Sequence, residues 1–425
     1  MRQDKEEQEN LSSSDVSSNT QIAGAGADAV SSVDAGGAAA AAKKAAAKEA
    51  AAKVAAEAAA KRAARAAKDR SCVALDGTGG DHRDTRAVVD AVRFAMAMYP
   101  QLDLIIFGSS QLEQDLLKAG IKKERYEFRL AQQTIPQDEP PRLVLKNYQH
   151  AAMVQALACV RDGEADSMIS SGGTGPLVTL ARHMLGVQHL SPKRTAVKAK
   201  IAQELGYSPA QVRASGELGG STKEGAAVRP CFAARIPVGP NRFALMLDLG
   251  ANASCQPWDL YDFACLGHAC ARVSLEIDSP RISLLNVGTE LGKGNHFVHQ
   301  ARDFMAADRS LQFTGFIEGN RIFRDDADVI VTDGFTGNVA LKAAEGVADI
   351  YASAGGMKKF FGKLARPEWL LPWQYNGSVL LGVNGLVIKS HASAGIEALA
   401  VAVVEAARAA HSDLATNMQQ QLLRE

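Results

Sequence analysis

The stretch DVIVTDGFTGNVALKAAEG, residues 328–346, begins as a buried strand and ends as a helix. A short apolar run, Val329 to Val331, gives way to strong helix formers spaced for one apolar face. The junction holds Asp333, Gly334, Thr336, Gly337 and Asn338. Glycine lets a backbone approach a ligand, and the exposed N–H groups of a helix start attract anions.

The same texture recurs outward from this stretch. CVALD, LDLIIFG, DSMISS, FALMLDLG, RISLLNVG and ADVIVTDG are short apolar runs separated by helical patterns, from residue 71 onward. Nearly continuous apolar strands ending in Gly and Asp suit parallel strands covered on both faces by helices, so the expected class is α/β with a mostly parallel sheet in a three-layer α/β/α arrangement.

With 425 residues, 47% of them hydrophobic, the chain has material for a sizeable core or two lobes. Lys plus Arg equal Asp plus Glu at 47 each, which removes a global field for nucleic acid. Cys72, Cys159, Cys231, Cys255, Cys265 and Cys270 form no C-x-x-C pair and read as reduced core thiols of a cytoplasmic protein. The opening MRQDKEEQEN has no apolar h-region, so neither secretion nor membrane spanning is expected.

Residues 1–37 are rich in Ser, Gly, Asp, Asn and Gln and read as a disordered tail. Residues 38–70 are an Ala/Lys-rich helical extension. Residues 190–228 are polar and read as an insertion carrying a lid or surface feature, and 413–425 as a C-terminal tail.

In open parallel sheets ligands sit beyond the carboxyl ends of strands. The candidate turns are LDGTGGDH (75–82), ISSGGTGPL (169–177), LDLGANASC (247–255), LLNVGTELGKGN (284–295) and TDGFTGN (332–338). None is a Walker loop or a dinucleotide fingerprint, no H-E-x-x-H occurs, and no cofactor or metal is called for. QYNGSVLLGVNGLVIKSHASAG (374–395) places Lys389, Ser390 and His391 at the end of another apolar run, where an ammonium and an imidazole can meet a dianion and relay a proton. A helix cap with a surface histidine is the plainer reading of that triplet.

MKKFFGKLARPEWLLPW (357–373) spaces Met357, Phe360, Phe361 and Leu364 at i, i+3, i+4 and i+7 among basic residues, then adds Trp369 and Trp373. Such a segment suits a membrane surface or a packed partner helix.

These blocks, in this order with RPCFAARIP and FIEGNRIF, make residues 71–412 resemble the bacterial phosphate acyltransferases of phospholipid synthesis, the PlsX family. The resemblance implies an isopropylmalate dehydrogenase/phosphotransacetylase-like fold and a homodimer. It implies transfer of a long-chain acyl group from acyl carrier protein to inorganic phosphate, the product then serving a membrane glycerol-3-phosphate acyltransferase. It also implies peripheral contact of residues 349–373 with an anionic membrane surface.

Under it, Lys389, His391 and Asn338 are the candidate catalytic residues. Asp76, Gly79, Gly80, Asp81, Ser170, Gly172, Gly173, Thr174, Gly175, Arg229, Asp248, Gly250, Asn252, Lys293, Asn295, Asp333, Gly334, Thr336, Gly337 and Ser390 would line the substrate site. Backbone N–H groups at 172–175 and 334–338 would stabilise charged oxygens while Lys389, Arg229 and Lys293 neutralise phosphate. Lys193, Arg194, Lys198 and Lys200 would offer a basic patch to the acidic carrier. The family usually has Asn where Gly173 stands. Two alternatives stay open: a phosphotransacylase using acyl-CoA, and a membrane scaffold that binds the carrier without turnover.

Overall fold

Strand polarity decides where the turns go. The computed structural model describes residues 60, 63, 65, 69–80, 84–214, 225–353 and 376–424, so the 1–37 tail, most of the 38–70 extension, Asp81, and the amphipathic residues Met357, Phe360, Phe361, Leu364, Trp369 and Trp373 lie outside the described residues. The strands in chain order are β1 (Ser71–Asp76), β2 (Leu102–Gly108), β3 (Tyr126–Leu130), β4 (Ser167–Ser170), β5 (Cys231–Gly239), β6 (Arg242–Leu247), β7 (Arg281–Asn286), β8 (Gln312–Glu318), β9 (Val329–Val331), β10 (Ser378–Leu381) and β11 (Val387–Lys389). They form one sheet in the order β3-β2-β1-β4-β11-β10-β5-β6-β9-β7-β8.

The first five of that order run parallel, and so do the last four. Between them the pairs β11–β10, β10–β5 and β5–β6 are antiparallel. The two parallel blocks therefore point in opposite directions along the sheet.

Alternation along each strand builds two apolar layers. Val73, Leu75, Leu245, Leu247, Val329 and Val331 face one layer, with helices Thr85–Met98, Pro257–Ser274, His296–Ala307, Ile396–His411 and Leu414–Arg424. Cys72, Ala74, Ala244, Met246 and Ile330 face the other, with helices Ala152–Arg161, Thr174–Leu185 and the start of Gly334–Ser353. This is the expected mostly parallel three-layer α/β/α arrangement.

Two segments differ from expectation. Residues 192–204 of the insertion are not a lid but a helix whose inner side is core: Arg194 is 1% exposed and lies 3.3 Å from Asp308, and Lys198 donates to both oxygens of Asp262 at 2.6 and 2.8 Å. Tyr207 stacks edge-on against Trp258 at 4.9 Å. Of the four cations expected to meet the carrier, Arg194 and Lys198 are buried ion-pair members, while Lys193 and Lys200 are exposed. Residues 414–424 are likewise no tail, but a helix that buries Leu414, Met418 and Leu422, its Leu422 carbonyl accepting the Ser191 N–H at 3.0 Å. Apolar residues at i, i+4 and i+8 were the signal for that helix.

Removing one partner of a buried pair leaves an uncompensated charge, so Lys198→Met is expected to lose about 3–5 kcal/mol of folding stability. Chemical denaturation checks this, and Lys198→Met/Asp262→Asn is expected to recover most of the loss.

Candidate functional site

The polarity reversal sorts the candidate turns into two groups. The turns after β1 and β4 and the Lys389–His391 triplet after β11 share one edge of the sheet. Those after β6, β7 and β9 share the opposite edge. Sheets twist by about 20–25° per strand, so the five steps from β4 to β9 rotate one group by about 100–125° relative to the other.

At the first edge Asp76 is buried and accepts from the Ser170 hydroxyl at 2.6 Å and from the Thr78 N–H and hydroxyl at 3.0 and 2.8 Å. Ser170 Oγ in turn accepts the Gly172 N–H at 2.9 Å. Gly79 and Gly80 lie against Gly172 and Ser171. Gly173 N-caps the helix Thr174–Leu185, where Thr174 and Gly175 carry the N–H groups a helix start leaves open. A Cβ on Gly173 would stand 2.5 Å from the Gln137 carbonyl oxygen. Here the backbone of Gln137 occupies the space a side chain would need.

Lys389 donates to the Ser390 carbonyl. Ser390 is fully buried, and its Oγ accepts from Asn376 Nδ2 at 2.8 Å, while Asn376 Oδ1 accepts the His391 N–H at 3.3 Å. His391 Nε2 lies 3.1 Å from Glu345 Oε1, and its Nδ1 lies 3.1 Å from Lys342 Nζ. An ammonium only donates, so Nδ1 accepts and Nε2–H donates to the carboxylate. Both ring nitrogens are engaged, and His391 therefore offers no open acid or base in this arrangement. Burial works against ionisation of Glu345, but its bonds to His391 and Lys342 prevail and hold it below the ordinary value.

At the second edge Asp248 is fully buried. Its oxygens accept from the N–H groups of Phe232, Ala251 and Asn252 at 2.9, 3.1 and 2.7 Å and from Asn252 Nδ2 at 2.9 Å. Burial nevertheless raises its pKa. Asn252 Oδ1 accepts from Arg229 Nε at 2.6 Å, and Arg229 Nη1 pairs with Asp259 at 2.5 Å.

The 332–338 turn packs directly on this network: the Gly334 N–H donates to the Asn252 carbonyl at 2.9 Å, and a Cβ on Gly337 would fall 2.0 Å from the Asp248 carbonyl oxygen. Asp333 accepts the Thr336 N–H and hydroxyl, both at 2.8 Å, and its carbonyl accepts the Gly337 N–H at 2.9 Å. Gly250, at φ 117, faces the exposed Asn338 side chain.

Several expectations are thereby corrected. Asp248 and Asn252 face inward and hold the turn rather than substrate. The N–H groups of Gly172, Gly334, Thr336 and Gly337 already have acceptors within the protein. Asn295 caps the helix His296–Ala307 by accepting the Val298 N–H at 2.9 Å, and Lys293 pairs with Glu290 at 2.9 Å on an exposed loop.

Asn338, Lys342 and Glu345, at i, i+4 and i+7, share a helix face. That periodicity was readable in residues 328–346, but its partner His391 was not. Asn376 was missed as well. Among the described residues no group of three His, Cys, Asp or Glu is placed to hold a metal ion, and no helix is long and apolar enough to cross a membrane.

The ionised form of Glu345 stabilises the fold, so its contribution is present above the ordinary glutamate value of 4.5 and is lost as pH falls through the lowered one. Glu345→Gln is expected to be less stable than wild type at neutral pH, with the gap closing in acid below that window; urea denaturation across pH checks it.

The chain matches the family described as fatty acid synthesis protein over residues 71–194 and 193–417. It is 36% identical over 354 residues to a phosphate acyltransferase from Aeromonas salmonicida (strain A449), covering 80% of this chain and 94% of that one. It is 33% identical over 350 residues to a phosphate acyltransferase from Coxiella burnetii (strain Dugway 5J108-111), covering 79% and 91%. Among solved structures, a phosphotransacetylase from Streptococcus pyogenes superposes with a TM-score of 0.48 at 18% identity, covering 80% of this chain and 94% of that one.

Proposed function

We infer the activity from one premise: this chain belongs to the fatty acid synthesis protein family, whose curated relatives named above are phosphate acyltransferases. It is an acyltransferase that moves an acyl group to phosphate. The finer reading is that the donor is a long-chain acyl thioester of acyl carrier protein and that the acyl phosphate feeds a membrane glycerol-3-phosphate acyltransferase. The observation that carries the reading is family identity spread over both parallel blocks, not over one motif.

The geometry favours attack by phosphate itself. A phosphate oxygen adds to the thioester carbonyl carbon, the C–S bond breaks, and the pantetheine thiolate departs as acyl phosphate forms. A side-chain nucleophile is poorly served. The Ser390 hydroxyl is buried and held by Asn376. Burial, with Asp259 beside it, pushes the Cys255 thiol up to about 12, far from a thiolate at neutral pH. Oriented cations and dipoles then supply the rate, each such donor being worth about 2.7–4 kcal/mol.

Lys389 belongs with Thr174 and Gly175 at one edge, and Arg229 and Asn338 at the other. The helix Gly334–Ser353 also exposes Phe335, Val339, Val347 and Ile350 at 66%, 53%, 68% and 72%. This apolar stripe supports a homodimer contact and leads into the 349–373 segment proposed to touch an anionic membrane surface.

The purified protein is expected to release free thiol from palmitoyl-acyl carrier protein only when phosphate is present, faster than from palmitoyl-CoA, with acyl phosphate identified by mass. A flat trace from folded protein that still binds the carrier would favour the scaffold reading, and preference for palmitoyl-CoA the phosphotransacylase. Lys389→Ala is expected to lose about 100- to 1,000-fold in kcat, the range for one oriented donor; full activity would remove Lys389 from the phosphate site.

A further inference from the structure

Crossover helices cover the faces of parallel strands, whereas antiparallel strands joined without them can leave a face bare. The helix Ile396–His411 packs on β1, β4 and β11, and Pro257–Ser274 on β6 and β9. The antiparallel strands β10 and β5 run between them. Ala233 pairs with Val379 and Arg235 with Leu245, so these four side chains share one face of the sheet. β1, β4 and β9 are buried throughout, but Val379 and Arg235 are only half-buried. Those four residues floor a cavity of about 510 Å³ between the two helices.

The inner lining is apolar: Ala233, Leu245, Cys270, Ala409 and Leu414 are all buried. Burial pushes the Cys270 thiol up to about 11, so that wall is uncharged at neutral pH. The polar groups of the wall are engaged within the protein. Ser274 Oγ lies 3.6 Å from Cys270 Sγ, and Asn376 Nδ2 donates to Ser390 Oγ and to the Ala398 carbonyl, both at 2.8 Å. Of the described buried side-chain polar atoms that have no partner, none belongs to a residue lining this cavity. A sugar or a nucleobase would lose its hydrogen bonds to water there without replacement, whereas a hydrocarbon chain gives up none.

The mouth is charged. Arg235 Nη2 and Arg408 Nη1 lie 3.1 and 2.8 Å from the two oxygens of Glu405, with side chains 37% and 54% exposed. Among the described lining residues these are the ionised side chains, two guanidinium groups on one carboxylate. A guanidinium fork binds a further carboxylate or a phosphate alike. An apolar interior behind a cationic mouth is complementary to an alkyl chain with an anionic head.

We propose that this cavity binds a fatty acyl anion, its chain over Ala233, Leu245 and Val379 and its head at Arg235 and Arg408. The head is either the carboxylate of a fatty acid or the phosphate of an acyl phosphate. The choice of an acyl chain rests on the acyl-transfer reading above, whereas the apolar interior and the cationic mouth do not. The cavity adjoins the Lys389–His391 turn: Asn376 lines it, and the Asn376 side chain holds Ser390 Oγ and the His391 N–H.

The test is isothermal titration calorimetry of the full chain with decanoate, decyl phosphate and decanol, each below its micellar concentration. Both anions are expected to bind, and each methylene added from octyl to dodecyl phosphate is expected to tighten binding about fourfold until the cavity is filled. Arg235→Gln is expected to weaken both anions about tenfold and to leave decanol unchanged. Val379→Phe, a strand-compatible residue that fills the floor, is expected to abolish binding of all three with the far-UV circular dichroism unchanged; should that variant not fold, Arg235→Gln decides alone.

Preference for decyl phosphate assigns the site to an acyl phosphate, and preference for decanoate to a fatty acid. No saturable binding of either anion overturns the proposal, as does binding that survives both variants. Thiol release from palmitoyl-acyl carrier protein is measured on the same preparations. Anion binding without thiol release keeps the cavity and removes the acyltransferase reading; thiol release without anion binding does the reverse.

Discussion

The antiparallel passage β11–β10–β5–β6 is the constraint on which the rest of this molecule depends. Carboxyl ends of parallel strands gather ligand-binding turns on one edge of a sheet, and a sheet whose polarity reverses has two such edges. What brings the two groups into relation is a pair of helices on the same apolar layer. Gly334–Ser353 starts in the turn after β9 and delivers Lys342 and Glu345 to His391 after β11. Thr174–Leu185 starts in the turn after β4 and ends at Gly186, whose N–H closes on the Arg182 carbonyl at 3.2 Å. The first edge thus borrows charge from a helix rooted in the second.

This arrangement changes where catalysis must find its positive field. Glycine-rich turns suggest cradles of open N–H groups, yet a buried turn must first satisfy its own backbone. In the turn after β9 the N–H groups of Gly334, Thr336 and Gly337 bind Asn252, the Asp333 side chain and the Asp333 carbonyl. The glycines there serve close packing against Asp248 rather than approach to a ligand. On the proposed reading, side-chain cations and the helix start at Thr174 and Gly175 meet the anion.

The class of fold was legible because it rests on local periodicity. Residues 328–346 pass from a continuous apolar run to helical spacing, and the structure has a strand to Val331 and a helix from Gly334. The pairing of turns was not legible, since strand order is a long-range choice and nothing in the apolar runs records that β10 and β5 would separate the two parallel blocks. Charge was misread for a related reason. Lys198 and Arg194 look like a solvated basic face until Asp262 and Asp308, far along the chain, are known to lie beneath them. Asn295 carried a local signal of its own: an Asn ahead of HFVHQA is a helix cap, and its Oδ1 accepts the Val298 N–H.

The buried insertion helix also bears on the site. Asp259 and Asp262 both lie beneath Arg229, one bonded to its guanidinium and the other to its N–H. Two buried carboxylates under one arginine would make the neighbourhood negative and repel phosphate. Lys198 cancels Asp262 from below, with its ammonium 2.6 Å from the carboxylate. A segment that the sequence marks as an addition to the domain is, on this reading, part of the electrostatics that let the domain hold an anion.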